Sequence, residues 1–224
     1  MLEAIIFDND GVLVDSEPLH HVAEIQTVAA YGYKLEPADF MRYVGVSTEI
    51  MLRDWIDQFN LDATVEELGE RHQENLIHQF EANLLVMPGI PELLADLSGH
   101  SQKIAVASSS TRILVQTGLQ KLGLWDYFDA IVCGDDVQRT KPDPMIYFEV
   151  ARLLELPPAA CIVIEDSFTG VTAAKAAGMC CIGYQSANSG QQDLSQADYL
   201  ITRFDELRNG KLPDIFNRCA RRCE

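Results

Sequence analysis

Two aspartates follow an apolar segment near the N-terminus and stand two residues apart. The segment 2–8 runs into Asp8, Asn9, Asp10 and Gly11. Alternate residues of a strand point to the same face, so Asp8 and Asp10 can converge on one reacting group, and Gly11 permits a sharp exit. Such carboxylates serve as a nucleophile, as a general acid and base, or as ligands of a hard cation. Asp and Gly also form ordinary turns after strands, so the pair alone does not identify a site.

Hydroxyl groups follow a second apolar segment. The segment 103–108 ends at Ser108, and Ser109, Ser110 and Thr111 lead into a stretch with helical periodicity. Hydroxyls and backbone N–H groups at the N-terminus of a helix can bind phosphate oxygens. Ordinary N-capping would explain one of these hydroxyls equally well. Ser108 and Ser109 are therefore candidate phosphate-binding residues.

A lysine and two acidic residues follow the next two apolar segments. Lys141 comes after the segment 130–133 and precedes a proline, although a surface lysine on a turn would give the same pattern. Glu165 and Asp166 end the next apolar segment, and carboxylates with substrate phosphate are ligands that Mg²⁺ prefers. Four successive segments thus end in carboxylates, hydroxyls, a lysine and carboxylates. This order indicates a Mg²⁺-assisted phosphoryl-transfer site.

Strand-length and amphipathic segments alternate over most of the chain. Most of the strand-length segments are continuously apolar, which is typical of strands covered on both faces. Amphipathic stretches of helical length separate them. This alternation predicts an α/β fold with a doubly wound parallel sheet, whose carboxyl edge is where ligands bind. The predicted strands are 2–8, 103–108, 130–133, 161–165, 179–184 and 199–202, and the predicted helices between them are 111–122, 143–154 and 168–177.

An insertion interrupts this alternation after the first strand. It contains helical patterns and no strand pattern, so we expect two domains. The α/β core comprises 1–15 and 84–224, and the inserted helical domain comprises 16–83. The predicted helices of the insertion are 17–31, 36–43, 48–59 and 64–81.

The net charge of the chain limits which classes of molecule it can bind. The chain has 34 Asp and Glu against 17 Lys and Arg, a formal net charge of −17. Such a charge disfavours binding to nucleic acid or to an anionic membrane, and the charge of a small anionic substrate would have to be met by a bound cation or by a few lysine, backbone N–H and hydroxyl groups. No apolar run is long enough to span a bilayer, and the N-terminus lacks the basic residues of a signal peptide, which predicts a cytoplasmic location. The six cysteines form no C-x-x-C pair and are predicted to be reduced.

The order and spacing of these motifs resemble the haloacid dehalogenase superfamily along essentially the whole chain. Its four motifs are matched by Asp8-x-Asp10, Ser108, Lys141 and Glu165-Asp166. The helical insertion resembles the C1-type cap of that family, and its sequence is similar to that of the β-phosphoglucomutase-like branch. The dehalogenases lack an acid at the position of Asp10, so the resemblance implies phosphate chemistry rather than cleavage of a carbon–halogen bond.

The resemblance implies a role for each catalytic residue. Asp8 would attack phosphorus and form an aspartyl-phosphate. Asp10 would protonate the leaving alcohol and then deprotonate the hydrolytic water. Lys141 would offset the crowded negative charge, and Ser108 would bind a phosphoryl oxygen.

The resemblance also implies a Mg²⁺ cofactor. Its ligands would be the side chains of Asp8 and Asp166, the backbone carbonyl of Asp10, and Glu165 either directly or through water. The resulting expectation is a phosphatase acting on a small phosphorylated metabolite, with sugar phosphates among the candidates.

Two positions in the insertion bear on the reaction. In the β-phosphoglucomutase-like branch a histidine at the position of His20 lies near the active site, although an exposed or capping histidine is equally consistent with the sequence. The mutases carry an arginine for a second phosphate after the segment that corresponds to 45–47, and this chain has Thr48 there. A β-phosphoglucomutase-type mutase is therefore the alternative. A receiver-like signalling module is a remote alternative, because a receiver carries its acceptor aspartate on the third strand.

Overall fold

The computed structural model describes residues 1–36, 39, 48–186, 190 and 192–220. The chain divides into two units, one comprising Met1–Asp15 with Leu85–Glu224, the other comprising Ser16–Leu84. Leu84, which the sequence assigned to the core, thus falls in the helical unit. It directly follows a long helix, and its backbone N–H donates to the carbonyl of Phe80 in that helix.

A six-stranded parallel sheet forms the first unit. Its strands are β1 (Ala4–Phe7), β4 (Lys103–Ala107), β5 (Ala130–Val132), β6 (Cys161–Glu165), β7 (Cys180–Tyr184) and β8 (Tyr199–Ile201), and β2 (Val14–Asp15) pairs with β3 (Leu85–Val86) in a separate antiparallel ribbon. The strand order in the sheet is β5-β4-β1-β6-β7-β8, which confirms the predicted doubly wound architecture. β1 is flanked by β4 and β6, so Phe7 pairs with both Val106 and Ile164. Residues that follow these three strands therefore meet at one edge.

Five helices of this unit are described. They are α4 (Ile90–Leu97), α5 (Arg112–Lys121), α6 (Met145–Leu154), α7 (Phe168–Ala176) and α8 (Lys211–Ala220). The predicted helices 111–122, 143–154 and 168–177 correspond to α5, α6 and α7, whereas α4 was not predicted. Among the described residues, no helix is long and apolar enough to cross a membrane.

One face of the sheet packs against α6 and α7. Tyr147 and Val150 of α6 join Val171 and Ala174 of α7 and Val163 of β6 in a single buried cluster. A helix of this length is only marginally stable in isolation. Each fully buried aliphatic or aromatic side chain adds about 1.5–3 kcal/mol to the free energy of folding, so packing on the sheet stabilises these helices. This packing therefore determines where the side chains of α6 lie relative to the strand ends.

The second unit contains α1 (Glu17–Ala29), α2 (Thr48–Phe59) and α3 (Val65–Asn83) among its described residues. A capping box begins α3, because Thr64 Oγ1 accepts from the Glu67 backbone N–H and the Glu67 carboxylate accepts from the Thr64 N–H. Trp55, Leu52, Leu68 and other apolar residues form the core of this unit. The predicted helix 36–43 lies almost entirely outside the described residues.

A disulfide joins Cys180 and Cys219, whose Cα atoms lie 5.9 Å apart. The prediction that all cysteines are reduced is wrong for this pair. The two residues are 39 positions apart in sequence, and they meet because α8 packs against β7. Cys133, Cys161 and Cys181 are free and buried.

Candidate active site

The carboxyl ends of β1, β4 and β6 bring three of the candidate groups together. Asp8 extends β1 and donates its N–H to the carbonyl of Ile164 on β6, at 3.0 Å. Ser108 follows β4, and Glu165 is the last residue of β6. All three side chains are buried, and the Ser108 and Glu165 residues are wholly inaccessible to solvent. The site is therefore built on the rigid centre of the sheet.

Lys141 connects two of these carboxylates. Its Nζ donates to Asp8 Oδ1 at 2.7 Å, to Glu165 Oε1 at 2.6 Å and to the carbonyl oxygen of Ala107 at 2.8 Å. These acceptors match the three N–H bonds of an ammonium group. Burial alone would lower the pKa of Lys141, but the charges of Asp8 and Glu165 raise it above its ordinary value. The lysine is thus a fixed, permanent positive charge beside Asp8.

The pKa of Asp8 reflects its burial among other negative charges. Burial and the charge of Glu165 raise the pKa of Asp8 well above its ordinary value, while Lys141 opposes them. Carboxylate oxygens of Asp8, Glu165 and Asp166 lie within 4.8 Å of one another, and all three residues are buried. Clustered hard oxygen ligands with excess negative charge fit a divalent cation such as Mg²⁺.

Glu165 holds the surrounding groups in place. Its Oε1 accepts from Lys141 and also from the hydroxyl of Tyr147, at 2.9 Å. Its Oε2 accepts from the Ser167 hydroxyl at 3.0 Å and from the backbone N–H groups of Ser167 and Asp166. The Lys141 ammonium also lies 5.3 Å from the centre of the Tyr147 ring, within cation–π range. Tyr147 was not among the predicted site residues, because its only signal in the sequence is a phenol on an otherwise apolar helix face.

Asp10 lies in the turn after β1 with its carboxylate against the serine-rich loop. Asp10 Oδ2 accepts from the Ser110 hydroxyl at 2.8 Å and from the Ser108 hydroxyl at 3.3 Å. Gly11 adopts a φ of 76°, which allows the turn, and its N–H donates to the carbonyl of Val14. Ser110 was not among the predicted site residues. Ser109, which was, has an exposed side chain, and its phosphate-binding role stays a prediction.

The loop after β5 fixes the serine-rich loop. The backbone N–H of Gly134 donates to the carbonyl of Ser110 at 2.9 Å, and a Cβ at Gly134 would lie 2.2 Å from the carbonyl oxygen of Ser109. Arg112 reaches across from the start of α5 to the carboxylate of Asp136. The close approach of the two loops requires a glycine at 134. Neither Gly134 nor Arg112 was among the predicted site residues.

The candidate residues of the insertion belong to the helical unit. His20 lies in α1, and its ring packs edge-on against Phe80, with 6.1 Å between the ring centres. Thr48 is the exposed first residue of α2, and the next residue, Glu49, pairs with Arg53 at 2.9 Å. The segment 45–47 lies outside the described residues. A role of His20 near the active site stays a prediction.

A family model described as haloacid dehalogenase-like hydrolase matches residues 5–184. The chain belongs to this family. The match includes all four motifs of the site, and it agrees with the parallel sheet and with the helical insertion after the first strand. The haloacid dehalogenase-like chain is a phosphatase, a hydrolase of phosphoric monoesters, as its relatives indicate.

Several relatives cover nearly the whole haloacid dehalogenase-like chain. The "Phosphorylated carbohydrates phosphatase" of Thermotoga maritima is 33% identical over 210 residues, which cover 93% of this chain and 97% of that protein. The structure of CbbY from Rhodobacter sphaeroides in complex with xylulose-1,5-bisphosphate matches with a TM-score of 0.83 and 28% identity, covering 92% of this chain and 96% of that chain. The β-phosphoglucomutase of Clostridium difficile matches with a TM-score of 0.79 and 26% identity, covering 97% and 98% of the two chains.

Gly170, in the first turn of α7, makes room for Glu165. A Cβ at this position would lie 1.8 Å from Glu165 Oε1 and 2.2 Å from Oε2. The Gly170 N–H donates to Ser167 Oγ, which in turn donates to Glu165. The glycine therefore allows the helix to begin directly against the carboxylate that holds Lys141.

We expect Gly170→Ala to lower both stability and activity. The added methyl group must displace Glu165 from its five hydrogen-bond donors, so we expect a loss of about 1–3 kcal/mol in the free energy of unfolding. Displacement of Lys141 should lower kcat/KM on the order of 10²-fold. Urea unfolding and a phosphate-release assay measure the two effects.

Gly69 in α3 provides a matched control. A Cβ there would meet only Leu52, at an ordinary contact distance of 3.7 Å. Gly69→Ala should leave kcat/KM unchanged and raise the free energy of unfolding by about 0.5–1 kcal/mol. Unchanged stability and activity in Gly170→Ala would contradict the packing of Glu165 described above.

Proposed function

We propose that this haloacid dehalogenase-like phosphatase hydrolyses a small sugar phosphate in a Mg²⁺-dependent reaction, through an aspartyl-phosphate on Asp8. The main support is the Lys141 ammonium, held 2.7 Å from Asp8 Oδ1 and 2.6 Å from Glu165 Oε1 at the edge of the sheet that also carries Asp10. The sugar assignment is supported by the relatives, one described as acting on phosphorylated carbohydrates and one bound to a pentulose bisphosphate.

Asp8 acts as the nucleophile in the first half-reaction. A carboxylate oxygen of Asp8 attacks phosphorus, and the bond from phosphorus to the sugar oxygen breaks. Asp10 gives its proton to that oxygen, so the sugar leaves as an alcohol. The positive charge of Lys141, beside Asp8, offsets the charge that accumulates on the phosphoryl oxygens, and the Ser108 hydroxyl binds one of these oxygens together with the backbone N–H of Ser109.

Water completes the cycle in the second half-reaction. The Asp10 carboxylate now accepts a proton from water, and the oxygen attacks the phosphorus of the aspartyl-phosphate. The acyl–phosphate bond breaks, inorganic phosphate leaves, and Asp8 is regenerated as a carboxylate that Lys141 again stabilises. Asp10 thus carries the proton needed for the next turnover.

Asp8, Asp166 and the backbone carbonyl of Asp10 are the proposed Mg²⁺ ligands, with Glu165 binding directly or through water. The bound ion would neutralise the carboxylate cluster and the substrate phosphate. In this proposal the helical unit serves as the cap of the family, and His20 contributes to the substrate site. Neither nucleic acid nor a membrane is an expected partner, and a cytoplasmic location stays a prediction.

A panel of phosphorylated metabolites tests this function. We expect phosphate release from hexose and pentose phosphates when Mg²⁺ is present. EDTA should stop the release, and added Mg²⁺ should restore it, because the carboxylate cluster cannot accept a phosphate dianion without a cation. If EDTA leaves the activity unchanged, the proposed metal site is rejected. If the enzyme hydrolyses only phosphates that contain no sugar, the proposed substrate class is rejected.

The same samples distinguish the phosphatase from the mutase alternative. A mutase needs a cation for the second phosphate, and Thr48 with Glu49 is a poor substitute for a bidentate guanidinium. Arg53 is engaged with Glu49, and Arg42 lies outside the described residues. We expect little conversion of β-glucose 1-phosphate to glucose 6-phosphate in a coupled assay, even with a bisphosphate primer. Isomerised product in excess of free phosphate would establish the mutase, whereas the receiver-like alternative is already incompatible with the family.

A further inference from the structure

We propose that Ser110 is a positioning residue for Asp10, which it orients to protonate the leaving alcohol. The Ser110 hydroxyl donates to Asp10 Oδ2 at 2.8 Å, the shorter of the two hydroxyl contacts with that oxygen. The inference rests on the proposed acid–base role of Asp10 and adds a residue outside the four family motifs. Its contact is to a side chain of the enzyme, so Ser110 acts through Asp10.

Ser110 and Ser108 form a two-hydroxyl clamp. Both hydroxyls donate to the same carboxylate oxygen, and the backbone N–H of Ser110 donates to Ser108 Oγ at 3.1 Å. An aspartate side chain in a turn has two rotatable bonds, and two donors from one loop restrict both. Without substrate, the clamp thus holds the Asp10 carboxylate in one orientation at the edge of the sheet. When the Ser108 hydroxyl turns to a phosphoryl oxygen of the substrate, the shorter contact from Ser110 continues to hold Asp10.

The loop that carries Ser110 is itself well fixed. The carbonyl of Ser110 accepts from the Gly134 N–H at 2.9 Å, and the next helix begins at Arg112, whose backbone N–H donates to the Asp135 carboxylate at 3.0 Å. Ser108 continues the strand ladder by donating its N–H to the carbonyl of Val132. A hydroxyl mounted on such a loop can fix the position of another side chain, because its own position is determined by the sheet.

The orientation of Asp10 matters most when the leaving group needs a proton. A sugar alkoxide is strongly basic and leaves only when it is protonated, whereas p-nitrophenolate leaves readily without a proton. An acid that is present but poorly oriented therefore slows sugar phosphates selectively. The first irreversible step, which kcat/KM reports, is the transfer that expels this leaving group. Water attack later in the cycle is common to both substrates.

The experiment compares kcat/KM for a sugar phosphate and for p-nitrophenyl phosphate in the Mg²⁺-loaded enzyme and its variants. For Ser110→Ala we expect a loss of about tenfold or more with the sugar phosphate and of no more than about threefold with p-nitrophenyl phosphate. Ser110→Thr keeps the hydroxyl and should restore the sugar phosphate activity. Ser98→Ala is the matched control, because Ser98 is exposed and its hydroxyl donates only to the carbonyl of Ala95 among the contacts described.

Asp10→Asn and a calorimetric Mg²⁺ titration separate the possible failures. Asp10→Asn should show the same substrate preference with a larger loss, about 10²–10⁴-fold for the sugar phosphate. Equal losses on both substrates in Asp10→Asn would refute the acid role of Asp10 and with it this part of the proposed function. If Asp10→Asn shows the preference but Ser110→Ala does not, or if Ser110→Thr fails to restore activity, the inference about Ser110 is wrong. An altered Mg²⁺ affinity in Ser110→Ala would also overturn it, since the effect would then pass through the metal.

Discussion

Asp8→Asn is expected to abolish turnover while the fold is retained. An amide is a poor nucleophile and a weaker cation ligand, so we expect a loss on the order of 10⁴–10⁶ in kcat, as for removal of other covalent nucleophiles. The side-chain oxygen of asparagine can still accept from Lys141, and the buried negative charge is removed, so stability should not fall. Phosphate release and urea unfolding measure the two properties. Intact-mass analysis of acid-quenched samples should show a phosphate adduct only in the wild-type enzyme.

Asp62→Asn provides the control for this change of charge. Asp62 is exposed in the loop between α2 and α3, and its substitution should leave turnover unchanged. Near-wild-type activity in Asp8→Asn would refute the covalent mechanism. A phosphate adduct that persists in Asp8→Asn would assign the nucleophile to another residue, and unfolding of the variant would show that the Asp8 charge is needed for structure.

The meeting of the motif residues could be predicted from the sequence because it depends on topology alone. Continuous apolar segments predict parallel strands, and parallel strands present their carboxyl ends at one edge. Asp8, Ser108 and Glu165 each follow or end such a segment, so their proximity follows from strand order without any detail of packing. Three helices of the insertion could be predicted from local helical periodicity, and the predicted helix 48–59 coincides with α2 (Thr48–Phe59).

The hydrogen-bond partners could not be predicted because they depend on tertiary packing. Tyr147 reaches Glu165 only because α6 packs on the sheet at one angle, and its sequence context is that of a core residue. Ser110, rather than Ser109, reaches Asp10 because of the conformation of one loop. Gly170 is required because a Cβ there would collide with the carboxylate of Glu165, which lies five positions earlier, on β6 and not in the same helix. Each of these is a contact between elements, for which the sequence carries no periodic signal.

The disulfide illustrates the same limit. Spacing rules for cysteines detect pairs that are close in sequence, whereas Cys180 and Cys219 meet through the packing of α8 on β7. The composition of the chain indicated reduced thiols, and that inference holds for the free, buried Cys133, Cys161 and Cys181. Local rules therefore predicted the elements and the composition of the site, and packing determined which atoms touch.

Lys141 shows most clearly how the fold and the reaction depend on one group. Its side chain is 4% exposed, and its ammonium lies between the carboxylates of Asp8 and Glu165. An uncompensated buried charge is far more costly than a buried charge that is paired and hydrogen-bonded. The lysine is therefore needed both to fold the carboxylate cluster and to offset charge during phosphoryl transfer.

Lys141→Met should lower stability and activity together. Removing one partner of a buried ionic cluster costs about 3–5 kcal/mol, and removing the positive charge beside the reacting Asp8 should cost about 10³-fold in kcat/KM. Lys141 lowers the pKa of Asp8, so the variant raises that pKa further. A group whose pKa is raised on folding stabilises the folded state at low pH and loses this contribution as the pH rises through the raised value. In metal-free protein, the destabilisation relative to wild type should therefore be smaller at mildly acidic pH than at mildly alkaline pH.

Lys103→Met distinguishes this effect from a general loss of a lysine. Lys103 is exposed at the start of β4, and its Nζ donates to the carbonyl of Leu154 at 2.7 Å, at the other end of the strand from Ser108. Its substitution should leave kcat/KM unchanged, with no pH-dependent difference in the free energy of unfolding. If the destabilisation by Lys141→Met were the same at both pH values, lost packing rather than unbalanced charge would be its cause. The electrostatic role of Lys141 would then have to be abandoned, because an unpaired carboxylate cluster must respond to protons.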